Sequence, residues 1–146
     1  CAGCIPCTAS FREVKQTRMT HILPIRVYYE DTDMAGIVYY ANYLRYIERG
    51  RSDWVREIGI DQLEMKADGV VFAVRRVEAD YIAPAVFDDL LEVRTWATSI
   101  GPARMEMAQE VWRDETLLFR AAVTIVCIAA SGKPCRLPAK LRSLPL

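Results

Sequence analysis

One long helical pattern, with strand patterns on both sides of it, most constrains what this chain can fold into. Apolar side chains recur three and four residues apart from Tyr39 to Ile58, which predicts an amphipathic helix with a broad apolar face. Gly59 follows directly and is expected to end the helix. A single helix with this much apolar surface needs a sheet to cover it, so the other segments decide the fold.

Strand patterns fill most of the remaining chain. Residues 21–29 are rich in Ile, Val and Tyr and predict one strand before the helix. Four more strands are predicted after it, over residues 70–82, 90–98, 104–112 and 117–129. The last of these is almost continuously apolar, which predicts burial on both faces. A short terminal helix is predicted over residues 138–144. This order indicates an α+β fold in which an antiparallel meander wraps around the helix.

The chain divides into a short leader and one domain. Residues 1–20 have no clear periodicity and predict a poorly ordered leader, whereas residues 21–146 are long enough for a domain with its own core. Cys1, Cys4 and Cys7 have a spacing similar to part of an iron–sulfur ligand run, but no fourth cysteine follows nearby. We interpret them as ordinary thiols of the leader.

Charge and hydropathy narrow the function further. The 19 basic residues balance the 19 acidic residues, which argues against a nucleic-acid-binding protein. The longest apolar stretch, residues 121–130, is far shorter than the ~20 residues of a transmembrane helix. Five cysteines are an odd number and, without a visible secretory signal, favour the cytoplasm over a disulfide framework. His21 is the only histidine, so we expect no catalytic metal.

The segment between the first strand and the helix is the most informative. It carries Glu30, Asp31 and Asp33, then Gly36, and the helical pattern begins soon afterwards. Carboxylates this close repel one another, which can raise a pKa toward a useful range. The first N–H groups of a helix lack intrahelical partners and can hold an oxyanion. The segment therefore indicates either an acyl-transfer site or acids that simply cap the helix.

Further residues belong to the same pattern as this segment. They are Tyr28-Tyr29-Glu30-Asp31-Thr32-Asp33, Gly36, Val38-Tyr39, Asn42-Tyr43, Glu48-Arg49, Ser52-Asp53-Trp54, Val71-Phe72-Ala73-Val74, Tyr81, Ala83-Pro84 and Asp88-Asp89. Together they resemble the signature of the 4-hydroxybenzoyl-CoA thioesterase family, over residues 24–140. The similarity is greatest to the branch of acyl-CoA thioesterases associated with the Tol–Pal cell-envelope system. That branch commonly has histidine where this chain has Tyr40, and tyrosine there resembles the 4-hydroxybenzoyl-CoA branch.

The resemblance implies a hotdog fold that works as a homodimer or homotetramer with sites at the subunit interfaces. It implies that Asp33 is the catalytic carboxylate and that the backbone N–H of Tyr40 is the oxyanion donor. Asp33 would either attack the thioester or activate water. The substrate would be a short-chain or aromatic acyl thioester of coenzyme A, or of acyl carrier protein, with no cofactor beyond the substrate's own coenzyme A.

Other residues are assigned to the site with alternatives beside them. Those predicted to contact the substrate are Tyr28, Gly36, Val38, Tyr39 and Asn42. Glu48 is a reserve catalyst, because a helix glutamate acts in another hotdog branch; the alternative is a salt bridge with Arg45 or Arg51. Lys133 and Arg136 are predicted to bind the coenzyme A phosphates.

Two other functions remain open from the sequence. One is a non-catalytic acyl-thioester binder or cell-envelope-associated hotdog protein. The other is a hotdog hydratase or dehydratase, which would need a histidine paired with an acid, a role for which His21 is poorly placed.

Overall fold

A helix of 17 residues, α1 (Asn42–Ile58), is the element on which the sheet packs. The computed structural model describes residues 20–146. The predicted leader over residues 1–20, with Cys1, Cys4 and Cys7, lies outside the described residues except for Thr20.

The elements follow the predicted order. They are β1 (His21–Arg26), a 3-10 turn (Tyr29–Asp31), α1 (Asn42–Ile58), α2 (Gln62–Ala67), β2 (Val70–Tyr81), β3 (Leu90–Ile100), β4 (Arg104–Arg113), β5 (Thr116–Ala129) and α3 (Ala139–Arg142). The 3-10 turn and α2 were not predicted, because both are short and neither has an apolar period of its own. No helix among the described residues is long and apolar enough to cross a membrane.

The five strands form one antiparallel sheet in the order β1-β3-β4-β5-β2. Only β3, β4 and β5 are a meander; the prediction that all four later strands form one was wrong. The chain passes through α1 and α2 before β2, so β2 reaches the far edge of the sheet and pairs with β5. The result is the expected α+β hotdog arrangement, a sheet wrapped around one long helix.

The buried face of α1 lies on the concave side of the sheet. Gly50 makes the approach close, because a Cβ there would lie 2.8 Å from both Thr95 Oγ1 and Val93 Cγ1. The fully buried Gln109 amide donates to the Ile47 carbonyl (2.7 Å) and to Thr95 Oγ1 (2.9 Å). These bonds satisfy a polar group that would otherwise destabilise the core.

Strand β5 corrects one prediction. Its burial alternates, with Val123 and Ile125 buried on the concave side and Arg120 and Ala122 exposed on the convex side. The apolar run suggested burial on both faces because Ala122, Val126 and Ile128 occupy convex positions, where apolar side chains can remain partly exposed.

The C-terminal segment closes one end of the core. Leu137 and Leu141 are fully buried, and Lys140 Nζ donates to the Gly59 carbonyl at the end of α1 (2.7 Å). A cation at this position also interacts favourably with the negative end of the helix dipole.

Candidate active site

Helix α1 begins three residues later than its apolar pattern predicted. The Tyr39 N–H donates to the Asp31 carbonyl (2.9 Å), and the Asn42 N–H donates to the Tyr39 carbonyl (2.8 Å). Residues 39–41 are therefore a turn fastened to the acidic segment. The exposed rings of Tyr39 and Tyr40 extend the apolar pattern without belonging to the helix.

Asp33 lies in a tight turn that fixes its backbone. Its N–H donates to the Ile37 carbonyl (2.9 Å), and its carbonyl accepts from the Gly36 N–H (3.0 Å). Its Oδ1 accepts from the Ala35 N–H (2.9 Å), a short-range bond typical of aspartate in turns. Within the described residues no hydrogen bond uses Oδ2. One carboxylate oxygen is thus anchored and the other remains available to a ligand.

Asp31 connects the two sides of the segment. Its Oδ2 accepts from the Tyr28 N–H (2.8 Å), while its carbonyl accepts from both the Tyr39 N–H and the Asn42 side-chain amide (2.8 Å). The end of β1 and the start of α1 are therefore bonded to one residue, which holds Asp33 and Tyr40 in a fixed relation.

The backbone around Tyr40 presents a donor. No hydrogen bond in residues 20–146 uses the Tyr40 N–H, whereas the Tyr40 carbonyl accepts from the Tyr81 hydroxyl (2.9 Å). The free N–H lies just before α1, at the positive end of the helix dipole. Such a donor can stabilise negative charge that develops on a carbonyl oxygen.

Asp33 and Tyr40 line the same cavity, which has a volume of about 360 Å³. Its wall is mostly aromatic and aliphatic, and consists of Asp33, Ile37, Val38, Tyr39, Tyr40, Tyr43, Tyr81, Ile82, Ala83 and Pro84. The predicted acid and the predicted oxyanion donor are therefore brought together. A carboxylate beside a free N–H in an apolar cavity can support attack on an acyl carbonyl.

The far wall is held by the rest of the sheet. The Ile82 and Ala83 N–H groups both donate to the Leu118 carbonyl (2.8 and 3.1 Å). Arg113 Nη1 donates to the Pro84 carbonyl (3.2 Å) and to Asp89 Oδ2 (2.8 Å). The wall is therefore a fixed surface against which a substrate can be oriented.

Three phenols of the cavity, those of Tyr39, Tyr43 and Tyr81, have a raised pKa. Burial raises the pKa of Tyr43, partly offset by the Ala85 N–H that donates to its hydroxyl. Burial and the neighbouring Tyr40 raise the pKa of Tyr81. A hydrogen bond with Tyr40 is the main cause of the raised pKa of Tyr39, to which the charge of Asp33 adds. These tyrosines therefore act as uncharged surfaces and hydrogen-bonding groups near neutral pH.

Three residues predicted to contact substrate do not line this cavity. Asn42 is buried and bonded to Asp31, and Tyr28 is exposed outside the cavity. Gly36 has a φ of +80° and open space where a Cβ would lie. Glycine is required there by the turn's left-handed backbone. Val38 and Tyr39 do line the cavity, and their contact with substrate stays a prediction.

Glu48 lies at a second cavity, of about 220 Å³, with Arg51, Ser52, Met105 and Met107 among its lining residues. Its carboxylate accepts from the Ser52 hydroxyl one helical turn away (2.7 Å). Among the described residues Glu48 forms a salt bridge with neither Arg45 nor Arg51, and Arg51 donates to Gln109 (3.1 Å).

The remaining predicted residues lie far from Asp33 within the chain. The Lys133 carbonyl accepts from the Ala129 N–H, and Ala129 pairs with Val70 at the opposite end of β2 from Tyr81. The length of β2 separates these ends by roughly 35 Å.

Among residues 20–146, no group of three or more His, Cys, Asp or Glu side chains could hold a metal ion.

His21 lines neither of these two cavities. Its Nε2 is 3.6 Å from Glu57 Oε2, near the C-terminal end of α1. The Asp33 cavity is at the other end of this helix, roughly 25 Å away by helix rise. The only histidine therefore cannot pair with Asp33 within one chain.

Sequence reasoning missed Tyr43 and Tyr81 as residues of the cavity. Tyr43 was assigned to the helix core, and its ring does stack on Phe119 with centroids 5.0 Å apart. Tyr81 stood in a strand pattern and in the family signature, without a stated role. The Tyr81, Ala83 and Pro84 matches in that signature were the available signal.

Comparison with known proteins gives a consistent result. The model of the thioesterase superfamily matches residues 35–119. The acyl-CoA thioester hydrolase YbgC of Escherichia coli O6:H1 is 41% identical over 117 residues, covering 79% of this chain and 87% of that protein. The acyl-CoA thioesterase YbgC of Haemophilus influenzae is 34% identical over 122 residues, covering 82% and 90%.

Solved structures agree with the fold. A probable thioesterase from Bartonella henselae superposes with a TM-score of 0.78 at 39% identity, over 82% of this chain and 99% of that one. A 1,4-dihydroxy-2-naphthoyl-CoA thioesterase from Synechocystis gives a TM-score of 0.79 at 27% identity, over 85% and 93%.

Proposed function

Because this chain belongs to the thioesterase superfamily, we propose that it hydrolyses acyl-CoA thioesters at the cavity beside Asp33. The observation that carries the proposal is that one cavity is lined by both Asp33, which has an unbonded carboxylate oxygen, and Tyr40, which has an unbonded N–H. The E. coli and H. influenzae relatives are both named for acyl-CoA hydrolysis. Acyl carrier protein is the alternative carrier of the thioester.

The substrate carbonyl oxygen would accept from the Tyr40 N–H, and Asp33 Oδ2 would face the carbonyl carbon. In one route Asp33 attacks, the C–S bond breaks, coenzyme A leaves as thiolate, and water hydrolyses the acyl-aspartate anhydride. In the other, Asp33 removes a proton from water as the water attacks. Both give the free acid and coenzyme A. In each route the negative charge on the carbonyl oxygen is stabilised by the N–H donor.

The cavity wall supports a short or aromatic acyl group. Tyr39, Tyr40, Tyr43 and Tyr81 surround the space next to Asp33, and planar rings pack well against aromatic side chains. The naphthoyl-CoA thioesterase of Synechocystis acts, by its name, on an aromatic acyl group. Short aliphatic chains fit the same volume, so both classes belong in the assay.

Strand β2 supports a homodimer. It pairs with β5 on one side only, and every side chain from Val74 to Tyr81 is exposed in the single chain. An edge of this length with three exposed valines favours pairing with another strand. Antiparallel pairing of two β2 strands about a two-fold axis would extend the sheet. A homotetramer would need a further contact.

Such pairing would complete the site. It would bring the Val70 end of one β2 beside the Tyr81 end of the other, so Lys133 and Arg136 of the partner subunit would approach the Asp33 cavity. Both side chains are exposed and suited to phosphate contact. We therefore propose that each coenzyme A phosphate group is bound by the opposite subunit.

The cytoplasm remains our prediction for the compartment in which the protein acts, because an odd number of cysteines does not favour a disulfide framework.

The proposal is tested by thiol release from acyl-CoAs of different length and aromatic character, for wild type and Asp33→Asn. We expect a fall in kcat of at least about a hundredfold, because the variant loses the carboxylate that acts in either route. Glu30→Gln, which removes an exposed acid of the neighbouring 3-10 turn, is the matched control and should retain activity. Circular dichroism checks that the variants fold.

Two results would contradict the assignment. Full activity in Asp33→Asn combined with loss in Glu48→Gln would move the chemistry to the second cavity. Binding of acyl-CoA without turnover by wild type would favour the non-catalytic binder, for which the tyrosine at position 40 is the motivating feature.

A further inference from the structure

Two cysteines outside the acyl-CoA site face each other across an antiparallel pair of segments. Cys127 lies on β5 and Cys135 on the segment that returns after the turn at Gly132. Their Sγ atoms are 3.3 Å apart, and the Cys135 N–H donates to the Cys127 carbonyl (2.9 Å). The bridge between Ile128 and Pro134 extends the pairing. Backbone hydrogen bonds between β5 and the returning segment therefore hold the two thiols close together.

We propose that Cys127 and Cys135 are a thiol-oxidation site that closes to a reversible intrachain disulfide. Directly opposed residues of an antiparallel pair have Cα atoms about 4.5–5.5 Å apart, which is within the range that a disulfide spans. The sulfurs need to approach from 3.3 Å to about 2.0 Å. Small rotations about the Cα–Cβ bonds supply this movement without displacing the backbone.

The two thiols differ in access, which fixes the order of the reaction. Cys127 is fully buried, whereas Cys135 is partly exposed. Burial and the neighbouring thiol raise the pKa of Cys127 to about 12, so attack begins at Cys135, since the thiolate is the nucleophile. The oxidant is a low-molecular-weight disulfide such as oxidised glutathione, to which Cys135 is the more accessible of the two residues.

The exchange balances in two steps. The Cys135 thiolate attacks one sulfur of the small disulfide, the S–S bond breaks, and one thiol leaves. The Cys127 sulfur, giving up its proton, then attacks Cys135 Sγ and releases the second thiol. The protein dithiol is oxidised, the small disulfide is reduced to two thiols, and excess reductant reverses both steps.

The disulfide would act on the C-terminal segment. This segment contributes Leu137 and Leu141 to the core and holds the end of α1 through Lys140 and the Gly59 carbonyl. A covalent link at Cys135 fixes its first residues to β5. Oxidation is therefore expected to hold the segment in place and stabilise the fold, mainly by restricting the unfolded chain. This inference does not depend on the hydrolase proposal.

The test uses the folded full chain, incubated with excess oxidised glutathione, alkylated and digested with trypsin without reduction. Residues 121–136 form one tryptic peptide containing both cysteines, because cleavage does not occur between Lys133 and Pro134. We expect this peptide to escape alkylation and to be lighter by two hydrogen atoms. A reducing agent added before alkylation should restore two alkylated thiols.

Cys135→Ser is the control, because it removes the more accessible thiol and leaves the fully buried Cys127 in place. Its peptide should never lose the two hydrogens, and its melting temperature should be the same in oxidant and reductant. The wild-type melting temperature should be several degrees higher in oxidant. Two wild-type results would each overturn the proposal: a peptide whose thiols both remain alkylatable, or a mixed disulfide on Cys135 that does not proceed to ring closure.

Discussion

At the residue scale, Asp31 and Asp33 are two positions apart and have different environments. The Asp31 carboxylate and carbonyl are occupied by bonds to Tyr28, Tyr39 and Asn42, so it organises the turn. Asp33 keeps one oxygen unbonded at the cavity. The sequence gives both residues the same charge and neighbourhood. Their different roles follow from the backbone groups to which each residue is bonded in the folded chain. The sequence does not show these bonds, so only the family resemblance could distinguish Asp33 from Asp31 before the structure was known.

The thiol of Cys127 predicts a loss of stability at alkaline pH. Its pKa is raised from 9.0 to about 12 in the folded chain, so the unfolded chain releases this proton at lower pH. The stabilisation that results from this raised pKa is fully present below pH 9.0. It is lost as pH rises toward about 12, by up to about 1.4 kcal/mol per pH unit. In reductant, the difference in free energy of unfolding between wild type and Cys127→Ala should therefore shrink over this interval.

The measurement is the urea midpoint at each pH. Tyr43 and Tyr46, whose pKa values burial also raises, lose their contributions in the same direction above pH 10 in both proteins and so cancel in the difference. Cys135→Ala is the comparison with a more exposed thiol. A difference between wild type and Cys127→Ala that stays constant from pH 8 to 12 would contradict the prediction.

At the element scale, Gly50 sets how closely α1 approaches the sheet. In an exposed helix, Gly→Ala stabilises by about 0.5–1 kcal/mol. Here the added Cβ would lie 2.8 Å from Thr95 Oγ1 and Val93 Cγ1, so Gly50→Ala should instead destabilise by about 1–3 kcal/mol through overpacking. Urea unfolding measures the change. Arg49→Ala, on the exposed face of the same helix, should stay within about 0.5 kcal/mol. An increase in stability for Gly50→Ala would contradict this prediction, because it would mean that a methyl group fits between α1 and the sheet.

Element types were predictable and their ends were not. Apolar alternation identified β3 and β4 within a few residues, because each has one face on the core. The apolar run of β5 and the alternation of β2 also located these strands, but neither pattern predicted which of their side chains are buried. The start of α1 was misjudged because Tyr39 and Tyr40 continue its period while their backbone bonds to Asp31. The position of β2 at the sheet edge also escaped prediction, since strand order depends on contacts distant in sequence.

At the scale of the whole molecule, the exposed edge of β2 predicts an assembly that one charge should disrupt. Val77 is 39% exposed in the single chain and would be buried between paired β2 strands. Val77→Asp should therefore lower the mass measured by light scattering to that of a monomer, because two carboxylates would be desolvated in one interface. It should also lower activity, since each site would lose the partner subunit's Lys133 and Arg136, which we propose to bind the phosphates.

Ile22→Asp on β1 is the matched control, because it places the same charge on the opposite edge strand of the sheet. Ile22 is 52% exposed, and its replacement should leave the mass unchanged. A monomer from Ile22→Asp with an intact dimer from Val77→Asp would place the interface on β1 and remove the reason for assigning Lys133 to the partner's site.

The 12-residue length of β2 has a further consequence for subunits that carry different defects. If one chain has Asp33→Asn and its companion has Lys133→Gln with Arg136→Gln, a hybrid pair contains one wholly wild-type catalytic centre. Co-refolding the two should then rescue a population with both wild-type kcat per active centre and wild-type KM, a combination that neither parent has alone. A same-chain arrangement allows no such rescue, so hybrids would give only the high KM of the second parent.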